Sequence, residues 1–513
     1  MSIGLFDPGM THLHRVGLAG LYMTLKNMDK ADLASVGHWI LEPQRITLCW
    51  SKSPRSLLEP IINTAFQKGT HKEIKFSAHS THMMSDIARI LFHRAILQTY
   101  LQHGKTRKLS ANNHPVSLNY EETTIHTTIP AISEYNHQKA CDLDKLKIFN
   151  EEGCFNDDIP IAGWLFPGGA VRHVAFEKGT TLSCDSKSLL SLLFAPVASV
   201  YFLIWNSDRE ARYDKRKTCA LVLPHVDDME SYSRCYRKYL KSPVKALYAN
   251  SLGDAGLTAL ISLNFLGDGQ ISDQLNIRSC TVTAFGSVGW SKQQKSRTSC
   301  KTIRDINYDQ LRLFDFALKT LGNKEFITED HTLNVRVSLA RGLIAENIAA
   351  GRDWFNGFHQ LMSSKNLAKL IFFEREGLNE MVQKASWNYE PEKLFVQAVH
   401  GALKNRYGAL AGRASSRGEI VNFEREFERV RASLMRAKNA QTLREVMAAL
   451  FAHGGRNTTL QENWELLLPL FSGADWQKAR DLALLALASY KGQISKPERS
   501  DDDNAHFDGN EEE

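Results

Sequence analysis

The amino-acid sequence predicts an α+β protein in which a large mixed α/β N-terminal region precedes an all-helical C-terminal bundle. Up to about residue 305, segments rich in β-branched and aromatic residues alternate with segments of helical periodicity. Beyond that point the strand pattern fades, and Ala, Leu, Arg and Glu dominate. The strand-like segments are RITLCW at 45–50, VRHVAFEKGTTLSC at 171–184, SVYFLIW at 199–205, TCALVLPHV at 218–226 and SCTVTAFGSVGW at 279–290.

Two helices are predicted between these strands. The first, from Ser85 to Gln102, has apolar residues at helical spacing, with Asp86 near its start and Gly104 just beyond its end. The second, from Tyr232 to Leu247, carries the cationic residues Arg234, Arg237, Lys238 and Lys241.

The C-terminal third is predicted to form successive helices, at 423–438, 442–453 and 474–492. The spacing of four apolar residues in the first of these predicts a buried face made by Phe423, Phe427, Val430 and Leu434. Three arginines fall nearly opposite that face: Arg425, Arg429 and Arg436. They either contact a nucleic-acid strand or belong to a solvated face on which neighbouring glutamates pair with arginines.

These patterns divide the chain into an α/β region at 1–305, a helical bundle at 306–495 and a tail at 496–513. The last segment, DDDNAHFDGNEEE, holds seven acids and no base, and it is expected to be disordered. Without these seven acids the formal net charge rises from +6 to +13. A basic body with an acidic tail indicates a polyanionic partner without identifying it.

Composition sets the expected compartment. No run of 18 apolar residues occurs, and the opening MSIGLFDPGMTHLH lacks the pattern of a signal peptide. We therefore expect a cytoplasmic protein with no membrane association. The eight cysteines are scattered, which is typical of reduced, buried thiols.

No known catalytic motif is found, so neither a cofactor nor a metal ion is expected. The phosphate-binding loops and the metal-binding motifs with paired histidines or cysteines are missing. His71, His79, His82 and the pair His12/His14 do not make a convincing set of four ligands. The carboxylate pairs Asp157-Asp158 and Asp227-Asp228 are typical of solvated turns.

Three cationic clusters are the stronger signal, because Lys and Arg neutralise phosphates while Asn can read base edges. We expect the clusters on loops near residues 51–56, 104–114 and 291–304. The candidate residues are Lys52, Arg55, Lys105, Arg107, Lys108, Asn112, Asn113, Lys292, Lys295, Arg297 and Lys301. The alternative interpretation is that these charges only keep the protein soluble.

Three sequence blocks resemble the MYXAN-type large subunits of CRISPR Cascade complexes, the family-eight Cas proteins of type I systems. The blocks are FDPGMTHLHRVGLAGLYMTL at 6–25, GWLFPGGAVRH at 163–173 and KNRYGALAGRA at 404–414. The resemblance implies a non-catalytic subunit that contacts a protospacer-adjacent motif (PAM) on duplex DNA and helps to open the duplex, while guide RNA reads the sequence. It does not distinguish antiviral defence from RNA-guided transposition.

The resemblance also implies partners: guide RNA, target double-stranded DNA, the backbone, guide-end and small subunits of Cascade and, in a transposon, a transposition targeting protein. The C-terminal helices of such proteins resemble the small subunit, which some relatives also make from an internal start. Met381 is a candidate for such a start, and Met362 is the alternative. Two other classes stay open: a nucleic-acid-modifying enzyme, and a scaffold protein without nucleic-acid contact.

Overall fold

A computed structural model describes residues 1–79, 84–101, 107–135, 148–157, 159–160, 183–205, 218–264, 277–286, 299–452, 455–472 and 475–492. Packing divides the chain into two compact units, Met1–Asn356 and Gly357–Glu513. The mixed architecture of the first unit and the helices of the second confirm the predicted α+β class. The assignment of roles to 1–305, 306–495 and 496–513 stays a prediction.

The described strands all belong to the first unit. They are β1 (Ser2–Gly4), β2 (Gly37–Leu41), β3 (Arg45–Trp50), β4 (Phe66–Lys68), β5 (Ile74–Phe76), β6 (Arg107–Tyr120), β7 (Thr123–Tyr135), β8 (Ile159–Pro160), β9 (Ser183–Cys184), β10 (Val200–Ile204), β11 (Cys219–Pro224), β12 (Tyr248–Ala249), β13 (Cys280–Phe285), β14 (Ser299–Ile303), β15 (Lys324–Ile327) and β16 (Leu333–Arg336). Four of the five predicted strand segments are thereby confirmed; most of 171–184 lies outside the described residues.

The described helices of the first unit lie between these strands. They are α1 (His12–Asn27), α2 (Pro54–Ala65), α3 (Asp86–Gln98), α4 (Ser186–Ala198), α5 (Met229–Leu240), α6 (Leu252–Asn264), α7 (Tyr308–Thr320) and α8 (Leu339–Ile348). Helix α5 is shorter than predicted, because it ends at Leu240 and a separate 3-10 turn covers Val244–Leu247.

The central sheet of the first unit has the strand order β12-β10-β11-β13-β14. Strands β10 and β12 pair in parallel, and the other neighbours are antiparallel. All six residues of β11 are buried, as expected for a strand at the centre of a covered sheet. Helix α6 packs on β11, β13 and β14, and α3 packs on β10 and β11.

The C-terminal end of α4 is buried, so its last carbonyl groups need hydrogen-bond donors from elsewhere. Four side chains provide these donors. Tyr201 Oη donates to Pro196 O (2.8 Å), His79 Nε2 lies 2.7 Å from Val197 O, Tyr232 Oη donates to Ala198 O (2.5 Å), and Tyr236 Oη donates to Ser199 O (2.8 Å). Two of the tyrosines come from one face of α5, which therefore packs along the end of α4.

Helices α1 and α4 approach each other unusually closely. A Cβ atom on Gly17 would lie 1.8 Å from Ser191 O, and one on Gly20 would lie 2.2 Å from Phe194 O. Because any larger residue would collide with backbone atoms, the sequence VGLAG at 16–20 is a packing requirement of this helix pair.

The hairpin of β15 and β16 corrects the expectation that strands end near residue 305. Its strands pair antiparallel, with Phe326 opposite Asn334. Phe326 and Ile327 are 43% and 38% exposed, so this hairpin lacks the regular alternation of buried and exposed residues that predicts a strand. Packing also places residues 306–356 in the first unit, beyond the boundary expected from the strand pattern.

The described part of the second unit is helical. Its helices are α9 (Lys365–Phe372), α10 (Arg375–Lys384), α11 (Glu390–Arg417), α12 (Phe423–Arg436), α13 (Ala440–Ala452), α14 (Thr458–Glu462), α15 (Trp464–Ser472) and α16 (Trp476–Ser489). Helix α16 is buried from Asp481 to Ser489. It contacts α9 to α13 and α15, whereas α14 packs on α11 and α15. It is therefore the central element of this bundle.

One charged residue lies within the buried part of α16. The Asp481 carboxylate, 3% exposed, accepts hydrogen bonds from the Gly357 amide (2.7 Å) and the His359 amide (3.0 Å), and its Oδ1 lies 2.7 Å from His359 Nδ1. These contacts attach the first residues of the unit to its central helix.

A buried ion pair joins α6 and α8, and we expect it to be essential for the stability of the first unit. Arg341 Nε and NH2 bind the two Asp254 oxygens at 2.9 and 2.8 Å, and the two side chains are 1% and 0% exposed. Arg341→Met leaves a buried carboxylate without its partner, which should lower the free energy of unfolding by about 3–5 kcal/mol.

Chemical denaturation, followed by a probe in the first unit, measures this effect. Glu230→Gln is the control, because it removes only the partly exposed ion pair with Lys26 (3.5 Å) and should change the free energy by about 1 kcal/mol or less. Equal effects of the two substitutions would contradict the assigned importance of the buried pair.

Candidate nucleic-acid interface

The first predicted cluster lies where β3 passes into α2. Lys52 is exposed on the intervening loop, and no described acidic side chain forms an ion pair with it. Arg55 lies in the first turn of α2, where its Nε is 3.1 Å from Glu59 Oε2. Lys52 is therefore better placed than Arg55 to neutralise a phosphate.

The second predicted cluster lies largely on a strand, which corrects the expectation of a loop near 104–114. Arg107, Lys108, Asn112 and Asn113 belong to β6, which pairs antiparallel with β7. The register is irregular between Lys108 and Leu109 and again between Leu109 and Asn113. The alternation of apolar and polar residues after His114, with Val116 and Leu118 buried, explains why this segment extends as a hairpin. Lys105 lies outside the described residues.

Most of the third cluster, including Lys292, Lys295 and Arg297, also lies outside the described residues. Its described member, Lys301, lies on β14 and forms an ion pair with Glu346 of α8. Burial raises the pKa of Glu346, but the Lys301 ammonium and the Gly253 amide more than offset this and hold the pKa below its ordinary value. Lys301 thus already has an anionic partner within the protein.

The three arginines predicted on α12 are exposed in the second unit. Arg429 NH1 lies 4.0 Å from Glu426 Oε2, and no described carboxylate pairs with Arg425 or Arg436. Glu426 itself pairs with Arg406 of α11. Glu426 thus pairs with arginines, as the interpretation of a solvated face expects, while contact of Arg425 and Arg436 with a nucleic-acid strand stays a prediction.

The predicted apolar face of α12 is only partly buried. Val430 and Leu434 are buried, at 5% and 0% exposure, whereas Phe423 and Phe427 are intermediate. Phe427 packs edge to face on Phe372, with ring centroids 6.2 Å apart. The expectation that all four residues are buried is wrong for the two phenylalanines, which lie in the first two turns of the helix.

Arg431 was not among the predicted residues of α12, and it has a structural role. It is 9% exposed, binds Glu428, and donates a hydrogen bond to the carbonyl oxygen of Met362. The sequence could have indicated this role, because residue 431 directly follows the buried Val430 and falls toward the apolar face of the helix rather than with Arg425 and Arg429.

Helix α5 carries a further basic face, whose residues are evident in the sequence but are not among the predicted nucleic-acid-binding residues. Its tyrosines at positions 232, 236 and 239 are buried against α4 and β10. The cations on the other side recur at i, i+3, i+4 and i+7, the spacing of a single helix face; they are Arg234, Arg237, Lys238 and Lys241. We call this set the α5 basic face.

The end of α1 extends the α5 basic face. Arg237 NH2 lies 3.5 Å from Asn27 Oδ1, and the exposed Lys26 precedes Asn27. Cations in the last turn of a helix also interact favourably with its dipole, which is a structural reason for Arg237 and Lys238. That reason does not apply to Arg234, which lies in the middle of α5, whereas Lys26 lies in the last turn of α1 and pairs with Glu230.

The titratable residues considered for catalysis or metal binding have structural contacts. His79 is buried against Val197 O, and burial lowers its pKa to about 4. His14 lies 2.7 Å from Thr11 Oγ1, and Asp228 caps α5 by accepting from the Ser231 amide (2.7 Å). Within the described ranges, no group of three or more His, Cys, Asp or Glu side chains has a geometry that could hold a metal ion. His82 and Asp158 lie outside those ranges.

None of the helices that the structure describes is both long enough and apolar enough to cross a membrane.

Comparison with known proteins identifies the family. Residues 2–193 match the family model described as the DevT N-terminal domain, and residues 383–513 match the DevT C-terminal domain. The CRISPR-associated protein Cas8a1/Csx13 of Myxococcus xanthus (strain DK1622) is 26% identical over 544 residues, which cover 96% of this chain and 89% of that protein. Together these matches place the chain in the MYXAN-type branch of the Cas8 family, the large subunits of CRISPR systems.

Proposed function

We propose that this chain is the non-catalytic large subunit of a type I CRISPR effector complex, which recognises the PAM on target duplex DNA and helps to open the duplex. Membership of the Cas8 family carries this proposal. Its partners would be guide RNA, target DNA and the other Cascade subunits and, if the system is a transposon, a transposition targeting protein. The proposal applies equally to defence and to RNA-guided transposition.

The distribution of charge supports a role in DNA binding. Exposed cations lie on a loop (Lys52), along α5 (Arg234 and Lys241) and along α12 (Arg425 and Arg436). Phosphate contacts of this kind position a protein on duplex DNA and supply salt-dependent affinity. Base reading requires other groups, and we propose the segment with Asn112 and Asn113 because amides can bind adenine edges in pairs.

We also propose that the chain is not an enzyme. Two of the residues that the sequence offered for catalysis have structural contacts that support this proposal, because His79 packs against Val197 O and Asp228 caps α5. PAM contact and duplex opening require binding energy rather than a nucleophile or an activated water molecule.

The α5 basic face provides the first test. Arg234→Glu and Lys241→Glu together should weaken binding of PAM-containing duplex DNA and reduce the slope of log affinity against log salt by about one for each lost phosphate contact. Both residues are exposed, so the fold should be retained. Fluorescence anisotropy across a salt series measures both quantities.

The control is Lys365→Glu with Lys369→Glu, which changes net charge equally through two exposed lysines of α9. If both double variants weaken DNA binding equally, the effect reflects net charge, and the α5 basic face has no specific role.

The cationic segment 291–304 should contribute in the same way. Charge reversal at Lys292, Lys295 and Arg297 together is expected to weaken duplex binding and to flatten its salt dependence, since the segment has no balancing acid. Wild-type affinity and salt slope in this variant would mean that the segment only contributes to solubility.

Substitutions on the two faces of α12 should affect folding and DNA binding separately. Leu434→Ala removes a fully buried side chain and should lower the free energy of unfolding by about 2–5 kcal/mol. Changing Arg425, Arg429 and Arg436 together to Ala should leave stability nearly unchanged while weakening target-DNA binding by the assembled complex.

Thermal melting and DNA binding of these two variants measure the separation. The half-buried Phe427 should give an intermediate loss of stability when changed to Ala, because less of its surface leaves a protected environment. Normal DNA binding by the triple arginine variant would assign this surface of α12 to protein contacts or to solvent.

A further inference from the structure

The Arg15 guanidinium has an unusual environment. Its side chain is only 22% exposed, its Nε is buried, and it makes no hydrogen bond to any residue that the structure describes. Its NH1 forms an ion pair with Asp227, whose Oδ1 lies 3.6 Å away, beyond hydrogen-bond distance, on a side chain that is 66% exposed. Other half-buried arginines, such as Arg94, bind acceptors at 2.7 and 2.8 Å. A guanidinium whose five donors make no hydrogen bond to a described residue, and whose one ion pair is long, is suited to bind an external anion.

An exposed aromatic ring lies next to this guanidinium. Arg15 Cζ is 4.6 Å from the centroid of the Phe6 ring, and Phe6 is 53% exposed. The turn that presents Phe6 is held by Asp7, which accepts from the Gly4 amide (2.8 Å) and pairs with Arg45 (3.1 Å). The ring is therefore a fixed, solvent-facing surface with a cation against it.

Two stacked imidazole rings lie beside Arg15. The ring centroids of His12 and His225 are 3.4 Å apart, and the ring planes differ by 3°. His12 Nδ1 has no hydrogen-bond partner among the described residues, and His225 Nε2 is 3.4 Å from Thr281 Oγ1. Both rings are only partly buried.

Burial and charged neighbours of both signs act on these two rings. Burial lowers the pKa of His12, and Arg15 lowers it further. Burial also lowers the pKa of His225, to about 4, with further lowering by Arg15 and Arg304. Asp227 opposes the shift at His12, and Asp305 opposes it at His225. Both imidazoles are therefore neutral at pH 7 and can donate a hydrogen bond without an added charge.

We propose that Phe6, Arg15 and the His12–His225 pair bind one nucleotide of a single-stranded nucleic acid, with the base on the Phe6 ring and a phosphate at Arg15. A single strand is favoured because its bases are free to stack on an aromatic side chain, whereas duplex bases are already stacked on each other. An acidic peptide would satisfy Arg15 but would leave the Phe6 surface unused. This site deepens the proposed function and rests on the nucleic-acid role stated there.

The test measures binding of short labelled single strands to the full chain, using uridine-rich RNA and the matching thymidine-rich DNA as separate probes. Phe6→Ala should weaken binding of the preferred strand by roughly 5- to 150-fold, the range for loss of one base stack. Phe6→Trp should retain affinity, because it keeps an aromatic surface. The RNA and DNA probes show which strand the site prefers.

Two further variants control the interpretation. Phe373→Ala removes an aromatic residue with the same 53% exposure from the second unit and should leave single-strand binding unchanged. Arg15→Gln should weaken binding and reduce the salt slope by about 0.7, the value for one phosphate of a single strand, while Arg15→Lys should keep most of that slope.

The outcomes distinguish this site from the proposed function. If the chain binds duplex DNA through the α5 basic face but Phe6→Ala and Arg15→Gln bind single strands as wild type does, this inference is wrong and the proposed function stands. The same holds if wild type binds duplex DNA and no single strand. If wild type binds neither form, both proposals fail.

Discussion

The buried end of α4 is the constraint on which much of the first unit depends. A helix that ends inside a protein leaves carbonyl groups that water cannot reach, and each needs a donor from another part of the chain. Here the donors come from β10, from the segment after β5 and from α5. The tyrosine-rich composition of α5 follows from this requirement, and its opposite face is left to carry cations.

The same helix explains the N-terminal block by which the chain resembles its family. Gly17 and Gly20 allow α1 to lie directly on the backbone of α4, which fixes the position of α1 against the rest of the unit. His12 and Arg15 each lie five residues before one of these glycines, and the segment FDPG at 6–9 precedes both. The block therefore combines a packing surface with residues of the proposed nucleotide site.

The sequence was sufficient to predict those features of the fold that depend on residues close together in the chain. Strand β3 begins and ends as predicted at residues 45–50, because its residue types favour an extended chain. It was insufficient to predict a role that depends on a partner distant in sequence. Lys301 was expected to bind phosphate, but Glu346 lies beside it in the fold and pairs with it. Likewise His79 could be considered as a metal ligand until its burial against Val197 was known. The stacking of His12 on His225 joins residues that no local pattern connects.

The Asp481 contacts bear on whether the C-terminal helices can exist as a separate polypeptide. Its carboxylate is buried in α16, and its described donors are Gly357 and His359. Translation from Met362 or from Met381 would begin after both donors, so the shorter product would lose the contacts that attach the start of the unit to α16. A product from Met381 would also lack the Met362 carbonyl that binds Arg431. A shorter polypeptide of this kind would therefore leave the Asp481 carboxylate to be hydrated by water or bound by donors of a neighbouring protein.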